Sequence, residues 1–254
     1  MTRDTPAQVA YLDQVAASGP GREYKGRVAA ALGLVPGMAV VDVGCGPGAD
    51  LGGLAAAVGP AGSVLGVDAD PAMVAVARHR FPGPGVRVRL GDAHALPVPD
   101  AGVDRAVVDR VLQHVADPAG VVAELRRVLR PGGVAVLADN DWDTLVIDDP
   151  DVDTSRAYAR YVRREVVRNA TVGRQVPRLC AAAGFVVRDV EAVTIVFRDV
   201  AVAERILRIT EVTWGAIRAG VMDERAALAW LGRLTGGPFL ASATVFVTTA
   251  VVPG

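Results

Sequence analysis

One lysine, Lys25, and two cysteines, Cys45 and Cys180, are all that 254 residues contain of those types, and each scarcity removes a class of chemistry. A Walker phosphate loop needs Gly-Lys-Ser/Thr, a Schiff-base enzyme needs a buried lysine, and a short-chain dehydrogenase needs Tyr-x-x-x-Lys; Lys25 in "EYKGR" fits none of these contexts. One cysteine in a glycine loop and one in a helical pattern make neither a disulfide framework nor a zinc pattern, so no metal is expected. Long apolar runs are missing too. Although 51% of the side chains are hydrophobic, no uninterrupted stretch approaches the ~20 residues of a membrane helix. The opening "MTRDTPAQVAYLDQ" carries charge and a proline where a secretory signal would carry its apolar core, which points to a cytoplasmic location. The formal net charge is -1. With arginines spread through helices rather than clustered with aromatics, the expected partner is a small molecule, with neither nucleic acid nor membrane; oligomeric state is not legible.

The length suits one substantial core, with one domain and an appendage preferred to two equal domains. Thr5 as N-cap, Pro6 at the first helical position and Gln8 closing a capping box predict a first helix, ended by "SGPG"; a second follows over about 22–34. Strand-length apolar runs then alternate with helical patterns: "MAVVDV", "SVLGVD", "VRVRLGD", "VDRAVVD" and "GVAVLAD". Helices are predicted at about 50–58, from Asp70-Pro71 to about Arg80, and from Asp117-Pro118 to about 130. Continuous apolar strands interleaved with helices imply a parallel sheet covered on both faces. After Asp139 the expectation is an acidic loop, "DNDWDTLVIDDPDVD", a helix over about 152–169, and a helix in "GRQVPRLCAAAGF". Two strands, "FVVRDVEAVTIVF" and "ASATVFVTTAVV", flank a helical insertion at about 199–237 that would cap the carboxyl edge of the sheet. The organisation expected is an N-terminal helical segment, 1–35, and one domain, 36–254, bearing that cap.

The stretch "VVDVGCGPGADL" places Gly44, Gly46 and Gly48 at the end of the first parallel strand, the edge where open sheets bind ligands. Bare backbone there admits a ligand to hydrogen-bonding distance. A ligand-free turn needs less than Asp42 and three glycines. A dinucleotide remains open, because Gly44-x-Gly46-x-x-Ala49 satisfies the glycine fingerprint and Asp68 follows at the end of the second strand.

Taken with Asp68 in "GVDAD", Asp92 in "GDAHALPVPDAGVD" and "VLQHVADPAGVVAELRRVLRPGG", the loop resembles the class I S-adenosylmethionine-dependent methyltransferases. The likeness is to their small-molecule branch, which includes quinone-biosynthesis C-methyltransferases and sugar or polyketide O-methyltransferases. It is specific over about 36–140 and looser beyond. It implies an α/β Rossmann-like sheet of seven strands, order 3-2-1-4-5-7-6 with the last antiparallel, and S-adenosylmethionine as cofactor. By this resemblance Gly44, Cys45, Gly46 and Gly48 meet the amino-acid part of the cofactor, Asp68 and Ala69 its ribose, and Asp92 and Ala93 its adenine, with Met73 covering the ring. Arg110, Tyr24 and Arg27 are candidates for its carboxylate; a solvated Arg110 and a merely packed Tyr24 are the competing readings.

Methyl transfer asks the protein mainly for proximity and dryness, since the cofactor carries the hard chemistry, so a base is optional. Candidates are Gln113 and His114 in "LQH" and Asp139 after the fifth strand. Similar sugar O-methyltransferases carry paired histidines at "QH" and an aspartate at Asp139. Gln113 departs from that pattern and cannot take a proton, which leaves it to position substrate. Trp142, Asn169, Arg174 and Trp214 are further candidates for enclosing the acceptor. The expected activity is methylation of a small metabolite of secondary metabolism, with O-methylation preferred; the alternative is a chain that keeps the cofactor but acts as a cyclase or scaffold.

Overall fold

The computed structural model describes residues 5–17 and 19–254. Two helices come first, α1 (Thr5–Ala17) and α2 (Gly19–Leu32), and the alternating core follows: β1 (Ala39–Val43), α3 (Leu51–Val58), β2 (Ser63–Asp68), α4 (Pro71–Arg80), β3 (Val86–Leu90), β4 (Val103–Asp109), α5 (Pro118–Val128) and β5 (Leu129–Ile147). The remainder is α6 (Val152–Tyr161) with a π-helical turn at Val162–Val166, α7 (Val172–Ala182), β6 (Val186–Phe197), α8 (Val200–Leu207), α9 (Ile209–Arg218), α10 (Glu224–Gly236) and β7 (Ala241–Val251).

The helix starts follow from local chemistry. Asp70 and Asp117 each precede a proline and accept the backbone N–H two residues on, Ala72 at 2.8 Å and Ala119 at 3.0 Å, so the side chain satisfies an orphan donor while proline presets the first turn. The cap expected from Thr5 lies outside the described residues. α2 begins at Gly19, earlier than the expected 22.

The sheet has seven strands in the order β3-β2-β1-β4-β5-β7-β6. β1 to β5 run parallel, and β7 is antiparallel to both its neighbours. The order and the antiparallel strand are those the resemblance implies. β1 is almost wholly buried, as a central strand covered on both faces must be. On one face α5 and α7 contribute Val121, Leu125, Val176 and Cys180; on the other α2, α3 and α4 contribute Leu32, Leu51, Leu54 and Val74. A third core joins the end of β5 and the start of β7 to α6 and α8–α10, with Tyr158 and Trp230 at its centre. The order of strands reverses between β1 and β4, which opens a crevice at their carboxyl ends.

Two expectations after Asp139 are corrected. The "DNDWDTLVI" stretch is strand, not loop: Asp139, Asn140 and Asp141 pair with Phe246, Val245 and Thr244, and pairing resumes at Val146 after a bulge. Tertiary partners override the loop-like composition. Asp139 accepts the Leu112 N–H at 2.8 Å, and the fully buried Asp141 is gripped by both arms of Arg174. The helix expected to 169 stops earlier, because the Asn169 side chain amide donates to Leu112 O and Val115 O, both at 2.8 Å. Reaching them takes the chain out of helix, and Val167 is already extended.

Candidate active site

At the crevice the chain leaves β1 through "GCGPG". Gly44 has φ +74°, and a Cβ there would fall 2.3 Å from Val111 Cγ2, so the loop can sit against the β4 exit only with glycine at this position. The loop's N–H groups are already engaged. Gly44 and Cys45 donate to Val67 O (2.7 and 3.1 Å), Gly46 to Asp68 Oδ2 (2.7 Å) and Gly48 to Cys45 O (3.0 Å). A pyrophosphate needs free N–H groups at the loop and the next helix start. Here the helix start carries the Asp50 carboxylate, paired with Lys25. Engaged amides, available carbonyls and a carboxylate at the helix start disfavour a dinucleotide and suit a ligand with a cationic end.

The β4 exit supplies the other wall. Asp109, the last residue of β4, accepts from Tyr24 Oη (3.1 Å) and Lys25 Nζ (2.7 Å). Burial opposes its ionisation, but Lys25 and Arg110, with the bonds from Lys25 and Tyr24, hold its carboxyl below the ordinary value. Arg110 takes a left-handed conformation, φ +57°, strain that a non-glycine residue holds only where its surroundings impose it. Its guanidinium lies over the Tyr24 ring, 6.0 Å from the centroid, and Nε stands 3.6 Å from Asp109 Oδ1. Nearby Asp42 is lifted well above the usual carboxylate range by burial first, and by Asp50, Asp109 and Asp68.

Asp109 Oδ1, Arg110 Nε and Asp139 Oδ1 are buried with no hydrogen-bond partner. Buried polar atoms are rarely left without a hydrogen bond; Asp109 Oδ1 and Arg110 Nε compensate each other only as an ion pair at 3.6 Å, which leaves each able to take a ligand group. An ammonium suits Asp109 and a carboxylate suits Arg110, so the edge fits the amino-acid end of S-adenosylmethionine. Asp68 fits the ribose: Gly46 and Asp70 N–H groups orient its two oxygens (2.7 and 2.9 Å), and each retains a lone pair for a hydroxyl. Asp50, Asp68 and Asp109 against Lys25 and Arg110 leave the crevice acidic, which favours a cofactor carrying an ammonium and a sulfonium.

The remaining candidates divide. Met73 is buried. Asp92 is exposed, its Oδ1 engaged by the backbone and ring of His94 (2.9 and 2.7 Å); these bonds keep its carboxyl below the ordinary range. Ala93 is half-buried and Ala69 exposed beside the strand ends. Cys45 is buried beneath the loop, its thiol raised by burial and by Asp42. Arg27 is a correction. It pairs with Glu191 of β6 at 3.1 Å, because two positions beyond Lys25 is about 200° round a helix, away from Asp109. Gln113 is buried, with Oε1 accepting Trp142 Nε1–H at 2.7 Å. This leaves its NH2 group as the free end, with one long contact to Arg110 O at 3.4 Å. Asp139 is fully enclosed and pushed up to about 8 by burial and by Asp109, against the pull of the Leu112 N–H and Arg110. His114 is exposed. Trp214, on α9, is 38% exposed.

Sequence reasoning missed Lys25, Asp50 and Asp109. Asp109 was findable as the terminal residue of a parallel strand; Lys25 and Asp50 acquire their role only once α2 is laid across the crevice.

Comparison with known proteins gives a consistent picture. A family model described as a methyltransferase domain matches residues 41–137. An "uncharacterized 37.1 kDa protein" in transposon TN4556 of Streptomyces fradiae is 49% identical over 246 residues, 96% of this chain and 71% of that protein. A demethylmenaquinone methyltransferase of Staphylococcus aureus is 33% identical over 125 residues, 49% of this chain and 52% of that one. Among solved structures, a SAM-dependent methyltransferase from Aquifex aeolicus superposes with a TM-score of 0.59 at 19% identity, covering 97% of this chain and 98% of that one.

Proposed function

We propose that the chain is a class I S-adenosylmethionine-dependent methyltransferase, a reading supported by the methyltransferase-domain match over residues 41–137, and that it methylates a small molecule through an acidic oxygen, such as a phenol or enol. The cofactor supplies an electrophilic methyl when bound. Asp109, Arg110 and Lys25 hold its amino-acid end, Asp68 its ribose, and Asp92 with Ala93 its adenine. Gln113 orients the acceptor by donating from its amide NH2, which the Trp142 bond at Oε1 keeps as the free end.

The observation behind this reading is that the two buried side chains at the acceptor end of the crevice, Gln113 and Asp139, offer no ready base at neutral pH. Gln113 cannot accept a proton, and Asp139 keeps its own up to about 8. An acceptor that is already partly ionised needs only proximity, orientation and exclusion of water, worth on the order of 7–11 kcal/mol when geometry is good. Aliphatic alcohols would need the missing base. A cytoplasmic role in secondary metabolism fits this reading; no described helix is long and apolar enough to cross a membrane.

The test is transfer of isotope-labelled methyl to a panel of phenols, enols, amines and aliphatic alcohols. Labelling of the acidic hydroxyls alone supports the proposal, and efficient labelling of aliphatic alcohols refutes it. A second reading, a cofactor-retaining cyclase or scaffold, is favoured only by Gln113 standing where related sugar enzymes have histidine. Labelled methyl in any product excludes it.

A further inference from the structure

The sequence spreads its arginines widely, but the fold concentrates one group of them. Along α6 and the turn after it, Arg156, Arg160, Arg164 and Arg168 recur every fourth residue, all exposed and without an ion pair among the described residues. On α6 a spacing of four keeps Arg156 and Arg160 on neighbouring turns of one side; Arg164 follows in the π-helical turn and Arg168 just beyond it. In a chain of net charge -1 this is a local excess of positive charge, and it leads to a cavity.

That cavity, of about 380 Å³, opens between the start of α5, the 163–171 segment and α7, with Arg163, Arg168, Thr171 and Gln175 in its lining. Its donors are arranged. Gln175 Nε2 donates to Thr171 Oγ1 at 2.8 Å, so the Thr171 hydroxyl already has a donor on its oxygen and keeps its own proton for a ligand. Arg168 is unpaired, and Arg163 is held only by a long contact to Asp143, 3.4 Å. The one carboxylate in the lining, Asp117, is turned to its capping bond with Ala119 N–H. Guanidinium pairs match phosphoryl oxygens in fork geometry, and the hollow is polar and open to solvent, as a site for a hydrated anion would be.

We propose that this cavity is a second binding site, separate from the cofactor crevice, for the phosphoryl or diphosphoryl group of a small molecule. Arg163 and Arg168 clamp the anion, Thr171 donates to it, and Arg156, Arg160 and Arg164 draw it in along the helix. The site adjoins the acceptor loop. Asn169, in the same lining, bonds Leu112 O and Val115 O through its side chain and Gln113 O through its N–H at 3.1 Å. An occupant therefore rests against the residue that fixes the position of Gln113. The chemistry is the same whether the phosphoryl group belongs to the methyl acceptor or to a separate effector.

The probe is inorganic pyrophosphate, titrated calorimetrically into the full chain at low salt, with S-adenosylhomocysteine binding measured in parallel on every variant. Saturable 1:1 binding is expected. The double variant Arg163→Gln/Arg168→Gln should weaken it at least tenfold, the control Arg188→Gln on β6 should leave it unchanged, and all should bind S-adenosylhomocysteine as the parent does. An equal loss in the triple variant Arg156→Gln/Arg160→Gln/Arg164→Gln would mean that diffuse charge rather than the cavity holds the anion, and that result overturns the site. Absence of pyrophosphate binding by parent protein that still binds S-adenosylhomocysteine overturns it too. Separating acceptor handle from effector takes one added arm: pyrophosphate competes with a phosphorylated acceptor in the first case and not in the second.

Discussion

The substitution Asp139→Asn removes a proton that the folded chain holds unusually tightly. The carboxyl is fully enclosed, next to Asp109, and rises from an ordinary value near 3.8 to about 8. In the unfolded chain it ionises at about 3.9. Between about pH 4 and pH 8 the folded state therefore binds more protons than the unfolded state, and stability falls as pH rises through that window. The slope from this one group is at most about 1.4 kcal/mol per pH unit, roughly 6 kcal/mol across the window. The introduced asparagine would keep the contact to Leu112 N–H through its side-chain carbonyl oxygen without any such dependence. Urea melts of both proteins at pH 5, 6.5 and 8 measure it: the variant should gain about 3–4 kcal/mol on the parent from pH 5 to pH 8. Parallel pH profiles would refute the assignment of a neutral Asp139 and, with it, the inference that the buried side chains at the acceptor end of the crevice offer no ready base at pH 7.

Three further outcomes follow from the geometry. Asp68→Asn, which loses charge-assisted bonds to a ribose, should weaken S-adenosylhomocysteine binding about 10- to 100-fold with little change in melting temperature, read by calorimetry. Gly173→Ala places a Cβ 2.5 Å from Asp139 O on a backbone that cannot yield easily; a loss of about 1–3 kcal/mol in urea is expected. Lys25→Met strips Asp109 and Asp50 of their shared cation and should both destabilise the fold by about 3–5 kcal/mol, as loss of one partner of a buried pair does, and reduce cofactor affinity.

The architecture was legible where a pattern has one physical meaning. Apolar strands between proline-started helices can only be covered parallel strands, and both Asp-Pro caps formed as read. Legibility failed where a distant partner decides the outcome. "DNDWDT" reads as solvated loop until Arg174 and Leu112 N–H arrive to satisfy Asp141 and Asp139, and the helix to 169 reads as continuous until Asn169 finds two carbonyls. In the site, Asp68 was visible from its place at a strand end. Arg27 was not excludable, because which face of α2 meets Asp109 depends on the packing of the whole helix. The glycine fingerprint alone left two cofactors open. What separates them is the use of the loop's own amides, all engaged within the protein, and the carboxylate at the start of α3.

The most direct test of the cofactor assignment is therefore a calorimetric comparison of S-adenosylmethionine, S-adenosylhomocysteine and NAD on the same folded preparation. A crevice built as described binds both sulfur cofactors 1:1 and gives no detectable heat with the dinucleotide. Binding of NAD with refusal of S-adenosylmethionine would contradict it.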